Sequence, residues 1–286
     1  MAPATCVRAK SNTIAEKTQN TGFHSPQRAT FGPQPVTVFE RLAPPFIREF
    51  LPLISPRALQ VLPIRALAEQ ALVISPRLVS GQGRKELMEE MRSSLPQGVR
   101  FSEEANPNFV KPSDLSVVQK AQLGQKILDL YFYQLQRSPV LFLDLRPNVF
   151  GWDLEREELV WNPSPFWAKL DSAFHQTVLD LYSGFYLANN AQLDRALKEL
   201  QLVGSEELLR AHFGNGLHGP VRFTTSHLTA SFQQIFDHVY EQQKQLHPGF
   251  AYLGIYITSL YMSLDELGVE LDARRAYLNS RHPEPK

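Results

Sequence analysis

The order of the periodic segments in residues 113–267 constrains the fold more than any other feature of this sequence. One long helical pattern comes first, and two short extended runs follow it before Ser164. Every periodic segment after Ser164 has helical spacing. Because no series of strands alternates with the helices, a doubly wound sheet is not expected. The order predicts a mainly α protein with one short β-hairpin.

The long helix has recognisable signals at both of its ends. Ser113 or Ser116 can cap its start, and Ser138-Pro139 predicts its end, since proline disfavours a helical residue before it. Apolar residues recur between these signals at helical spacing: Val117, Leu123, Ile127, Leu130 and Leu135.

The two extended runs are NVFGWD and ELVWN, which are separated by Leu154–Glu157. Valine, phenylalanine and tryptophan favour strands, and a connection of four residues, three of them charged, is a common length for a hairpin. We therefore predict a hairpin near residues 148–162, with Val149 and Leu159–Trp161 in its two strands.

Cap residues and glycines divide the rest of the chain into about five helices. Asp171 or Ser172 can cap the first of them, and Pro248-Gly249 separates the last from the one before it. The last helix, predicted over Phe250–Leu267, is apolar on nearly all sides. Such a helix is expected at the centre of a core.

The chain before the long helix is read as two segments. Residues 1–35 are rich in polar residues and proline, and they predict a disordered tail. Residues 36–112 predict helices interrupted by proline, with a linker or ordered loop over residues 96–113. The main helical domain is expected over residues 113–275, followed by a tail over residues 276–286.

Composition limits the partners that this chain can have. Lysine plus arginine number 29 and aspartate plus glutamate number 29, so net charge gives no reason to expect a nucleic-acid partner. The single cysteine, Cys6, cannot form an internal disulfide, which favours a reducing, cytoplasmic compartment. The longest uncharged apolar stretch, Gly249–Leu264, is shorter than the roughly 20 residues that span a bilayer. No transmembrane segment is expected.

A long helix, a loop with aspartate and asparagine, a hairpin and then helices is the order found in the large lobe of protein-kinase-like folds. In detail, LFLDLRPNVF resembles the loop of the AarF/UbiB family of atypical kinases, with Asp144, Pro147 and Asn148 at matching positions. The resemblance covers about residues 115–275. It implies that Asp144 would orient or deprotonate an attacking hydroxyl and that Asn148 would hold magnesium.

The chain also departs from that family where the chemistry is expected. The family has Asp-Phe-Gly after the hairpin, but this chain reads WNPSPFW and has no aspartate between Asp153 and Asp171. Arg146 stands where the family's loop has histidine, and no strand-rich small lobe is evident. The resemblance therefore implies a degenerate large lobe without the metal chemistry. In that reading Asp144 pairs with Arg146 or caps a turn.

No other constellation in the sequence predicts a catalytic or metal site. The histidines lack the repeated helical spacing that a metal centre needs, so no metal ligand is predicted. Trp152, Trp161 and Trp167 cluster around the hairpin. They either pack onto the helices or form an interaction surface for a protein partner or a lipid-like ligand.

Three hypotheses about function follow. The first is a non-catalytic interaction or regulatory protein on a degenerate kinase-like scaffold, with no cofactor. By resemblance it would be linked to quinone or lipid metabolism, at most peripheral to a membrane. The second is an atypical phosphotransferase that uses Asp144, Asn148, magnesium and ATP, with a nucleotide site around Gly81–Arg84. The third is a helical protein that binds an apolar ligand.

Overall fold

The computed structural model describes residues 58–62, 85, 89, 95–102, 109–213 and 219–281 of the chain. These residues form a mainly helical fold, which confirms the predicted mainly α class, but they contain three small sheets of two or three strands where a single hairpin is predicted. The predicted tail over residues 1–35 and the hypothetical nucleotide site around Gly81–Arg84 lie outside the described residues.

The helices are α1 (Ala58–Val61), α2 (Val117–Arg137), α3 (Ser172–Tyr186), α4 (Asn190–Glu199), α5 (Glu206–Phe213), α6 (Thr225–Glu241), α7 (Gly249–Leu267) and α8 (Ala273–Arg281). The strands are β1 (Val99–Phe101), β2 (Val140–Phe142), β3 (Phe150–Asp153), β4 (Glu158–Trp161), β5 (Trp167–Lys169), β6 (Val221–Arg222) and β7 (Glu270–Leu271). Two short 3₁₀ turns span Pro112–Asp114 and Pro147–Val149.

Helix α2 is the long helix that the sequence predicts, and a capping box begins it. The Ser116 hydroxyl accepts a hydrogen bond from the Gln119 amide at 3.4 Å, and the Ser116 amide donates to Gln119 Oε1 at 3.0 Å. These two bonds satisfy amides that have no partner within the helix. Of the cap candidates, Ser116 is therefore correct, and the helix ends before Ser138 as expected.

The predicted hairpin is confirmed. Strands β3 and β4 pair antiparallel with Phe150 opposite Trp161 and Asp153 opposite Glu158. Asp153 Oδ1 accepts hydrogen bonds from the amides of Glu155 and Arg156 at 3.1 and 3.2 Å, which closes the turn. These backbone hydrogen bonds, that from Arg156 first, lower the pKa of Asp153.

The predicted strand position of Val149 and the loop over residues 96–113 both need correction. Val149 ends the 3₁₀ turn Pro147–Val149, because the fixed φ of Pro147 favours a turn there. Strand β1 falls within the expected loop and pairs parallel with β4, so the three-stranded sheet has the order β1-β4-β3. This sheet crosses the domain boundary that we placed at residue 112.

Helix α8 corrects the predicted C-terminal tail over residues 276–286 as far as Arg281, and residues 282–286 lie outside the described residues. It packs along α2 and buries Ala276 and Tyr277, which are 0% and 1% exposed. The Asp272 carboxylate accepts a hydrogen bond from the Arg275 amide at 2.8 Å and so begins the helix. Its buried residues recur at helical spacing, but two of its four apolar residues are alanines, so the segment presents little apolar area in the sequence.

The helical core is centred on buried tyrosines. The hydroxyls of Tyr131 on α2 and Tyr182 on α3 are 2.6 Å apart, and the Tyr256 hydroxyl on α7 donates to the Tyr131 carbonyl at 2.9 Å. The rings of Tyr131 and Tyr256 stack at 4.5 Å. Burial raises the pKa of Tyr131 and of Tyr256 well above the usual value, so both phenols stay neutral. As expected, the apolar helix α7 lies in this core.

Candidate functional site

The loop over residues 143–149 connects β2 to β3 and carries the two predicted catalytic candidates. Strand β2 pairs antiparallel with β5, which follows the hairpin. The Leu143 amide donates to the Phe166 carbonyl at 2.9 Å, and the Asn162 amide donates to the Val149 carbonyl at 2.8 Å. Both ends of the loop are therefore bonded to the segment over residues 162–166 that follows the hairpin.

The Asp144 side chain is fully buried and makes five hydrogen bonds. Its Oδ1 accepts from Arg146 Nε at 2.9 Å and from the Arg146 amide at 3.4 Å. Its Oδ2 accepts from Ser164 Oγ at 2.6 Å, from the Ser164 amide at 3.0 Å and from Arg146 Nη2 at 3.1 Å. A carboxylate has about four lone-pair positions, so these donors saturate it.

The backbone around Asp144 is held by other elements of the fold. The Asp144 carbonyl accepts a hydrogen bond from Trp161 Nε1 of β4 at 3.1 Å. The Leu145 amide donates to Ser259 Oγ of α7 at 2.7 Å, and Ser263 Oγ, one turn later, donates to the Leu145 carbonyl. Helix α7 and the hairpin thus fix both the position and the orientation of the loop.

Asp144 and Arg146 form an ion pair that is largely removed from water, because their side chains are 0% and 11% exposed. Burial of two charges is unfavourable unless their geometry is good and their remaining hydrogen-bonding groups are satisfied. Here the bidentate guanidinium and Ser164 meet that requirement for the carboxylate. The pairing of Asp144 with Arg146 is one of the two structural alternatives that the sequence left open.

Asn148, the second candidate, lies at the centre of the 3₁₀ turn Pro147–Val149 and is exposed. The Asp144 carboxylate is buried whereas Asn148 is exposed, and among the described contacts no hydrogen bond joins the two side chains. No three His, Cys, Asp or Glu side chains in the described ranges are grouped so that they could hold a metal ion.

For two of the three tryptophans, the prediction of an exposed interaction surface is wrong, and the alternative of packing in the core holds. Trp152 and Trp161 are 2% and 0% exposed, and Trp161 stacks on Phe150 with ring centroids 6.3 Å apart. They are buried because the sheet packs against α2 and its neighbours. Trp167 alone is partly exposed. The exposed large apolar side chains in the described part of the chain are Val117, Val118, Leu154, Leu187, Val203 and Tyr240.

Sequence reasoning missed Ser164, Ser259 and Ser263 as parts of this site. For the two serines of α7 a signal was present, because they are four residues apart in an otherwise apolar helix and so lie on one face. Ser164 carried no comparable signal, since a serine before a proline is common in loops.

No family model matches the chain, and no curated protein is significantly similar to it. The resemblance to AarF/UbiB kinases thus depends on the residues quoted above. Of the helices that the structure describes, none has the length and apolar character needed to cross a membrane.

Proposed function

We propose that this chain is a non-catalytic interaction or regulatory protein built on a degenerate kinase-like large lobe. The observation that carries the proposal is the buried, saturated carboxylate of Asp144, the residue that an active relative would use in catalysis. Arg146 and Ser164 occupy its oxygens with donors at 2.6 to 3.4 Å.

The neighbourhood of Asp144 supports the kinase-like part of the proposal. In phosphoryl transfer the loop aspartate and the aspartate after the hairpin serve one reaction centre, so the two segments must be adjacent. Here the segment after the hairpin lies against the loop, and its Ser164 contacts Asp144 directly. The pairing of β2 with β5 on either side of the hairpin maintains this contact.

The same contacts support the non-catalytic part. A magnesium site needs anionic or carbonyl oxygens with free lone pairs, and a general base must reach its substrate hydroxyl. The Asp144 carboxylate is buried, and Arg146 already supplies the positive charge that a metal ion would contribute. Releasing Arg146 would leave a buried charge unpaired, which costs about 3–5 kcal/mol.

The process in which this protein would act is inferred from the resemblance to AarF/UbiB kinases alone. The resemblance indicates quinone or lipid metabolism, with a protein partner or a lipid-like ligand at a membrane surface.

The two alternative functions, a phosphotransferase and a protein that binds an apolar ligand, have less support from the described residues. A phosphotransferase would need Asp144 to be released. An apolar ligand would need a pocket of about 300 Å³ or more, and the cavity lined by Tyr131 and Tyr182 in the described part of the chain, at about 20 Å³, is too small to be that pocket.

Manganese binding, followed by electron paramagnetic resonance, tests the proposal. The acidic double variant Arg146→Met/Ser164→Asp places a second carboxylate beside Asp144 and removes the guanidinium. Its matched control is Arg146→Met/Ser164→Asn, which has the same size without the charge. We expect the acidic variant to bind Mn²⁺ and the control and wild type not to bind it.

Melting temperatures of all three proteins establish that each is folded under the conditions used. Magnesium-dependent ATP turnover by the wild type would overturn the non-catalytic role. A folded acidic variant that binds no Mn²⁺ would instead count against the kinase-like geometry of the site.

A further inference from the structure

We draw no further inference here: the strongest candidate, the cavity of about 20 Å³ between α2, α3 and α7 that is lined by Tyr131, Tyr182 and Tyr261, has room for about one water molecule, and nothing in the described part of the chain identifies a ligand for it.

Discussion

Arg146 and Asp144, two residues apart in the chain, are joined by a bidentate ion pair in which Nε lies 2.9 Å from Oδ1 and Nη2 lies 3.1 Å from Oδ2. Ser164, from the segment after the hairpin, donates to the same carboxylate through both its hydroxyl and its amide. The carboxylate therefore links the loop over residues 143–149 to the segment that follows the hairpin.

Replacement of the carboxylate by its neutral isostere should destabilise the fold. We expect Asp144→Asn to lower the free energy of unfolding by about 3–5 kcal/mol, because the variant leaves the Arg146 charge without its partner. Urea denaturation measures the loss. The matched control is Asp194→Asn at an exposed position of α4, where a change within about 0.5 kcal/mol is expected. Equal effects at the two positions would show that the pair has no structural role.

The variant Ser164→Ala removes a single hydrogen-bond donor, the Ser164 hydroxyl, from the Asp144 carboxylate. Because hydrogen bonds to charged groups contribute about 1.5–3 kcal/mol, we expect Ser164→Ala to destabilise the protein by that amount. Ser172→Ala, at an exposed position in the first turn of α3, serves as the control and should change little. Chemical denaturation of both variants checks the difference, and a Ser164→Ala protein as stable as wild type would contradict it.

Gly184 allows α3 and α4 to approach each other closely. A Cβ atom added to Gly184 would lie 2.5 Å from the Leu193 nitrogen and 2.7 Å from its Cα, which are backbone atoms that cannot rotate away. We expect Gly184→Ala to lower the free energy of unfolding by about 1–3 kcal/mol.

Gly254 of α7 provides the matched comparison for Gly184, because the nearest atom to its added Cβ would be 4.0 Å away, on Phe232. Alanine has the higher helix propensity, so Gly254→Ala should be neutral or stabilising by up to about 1 kcal/mol. Thermal denaturation of both variants compares them. A destabilised Gly254→Ala beside an unaffected Gly184→Ala would refute the close packing of α3 against α4 at Gly184.

Asp129 of α2 gives the protein a defined pH dependence. Burial is the largest influence on its carboxyl and raises its pKa above the ordinary value of 3.8, although Asn279 of α8 and Lys126 oppose the shift. Because the pKa of Asp129 is raised in the folded state, its carboxyl contributes to the free energy of unfolding while it is protonated. This contribution is fully present below the pKa of the unfolded state and is lost as pH rises through the pKa of the folded state.

The variant Asp129→Asn removes this titration while leaving an amide that can still bond to Asn279. Relative to the variant, the wild type should lose stability as pH rises from the ordinary carboxyl pKa of 3.8 toward neutrality. Urea denaturation of both proteins across that range tests the direction. A wild type that gains stability relative to Asp129→Asn over the same range would show that the carboxylate is better stabilised in the folded state.

Local signals were enough to predict α2 and the hairpin. Ser116 and Gln119 form their capping box within one helical turn, and the hairpin strands are separated by four residues that form a turn. The pair of Asp144 with Arg146 could also be proposed as an alternative, since only Leu145 separates the two residues.

The remaining features depend on contacts between distant parts of the chain. Strand β1 is only three residues long, and its hydrogen-bonding partner β4 lies about sixty residues later in the sequence. The local sequence around β1 therefore resembles a loop. The hydrogen bond between Leu145 and Ser259 joins residues 114 positions apart. The burial of Trp152 and Trp161 likewise depends on how the sheet packs against α2, which alternation within the hairpin cannot determine.

We propose that the Asp144 site does not support phosphoryl transfer. The most direct test measures phosphate release from magnesium-ATP by the full chain, with Asp144→Asn measured alongside at a temperature where both proteins are folded. We predict no turnover above the protein-free rate for either protein, because the carboxylate is buried and bound to Arg146. Turnover by the wild type that requires magnesium and is abolished in folded Asp144→Asn would contradict the account.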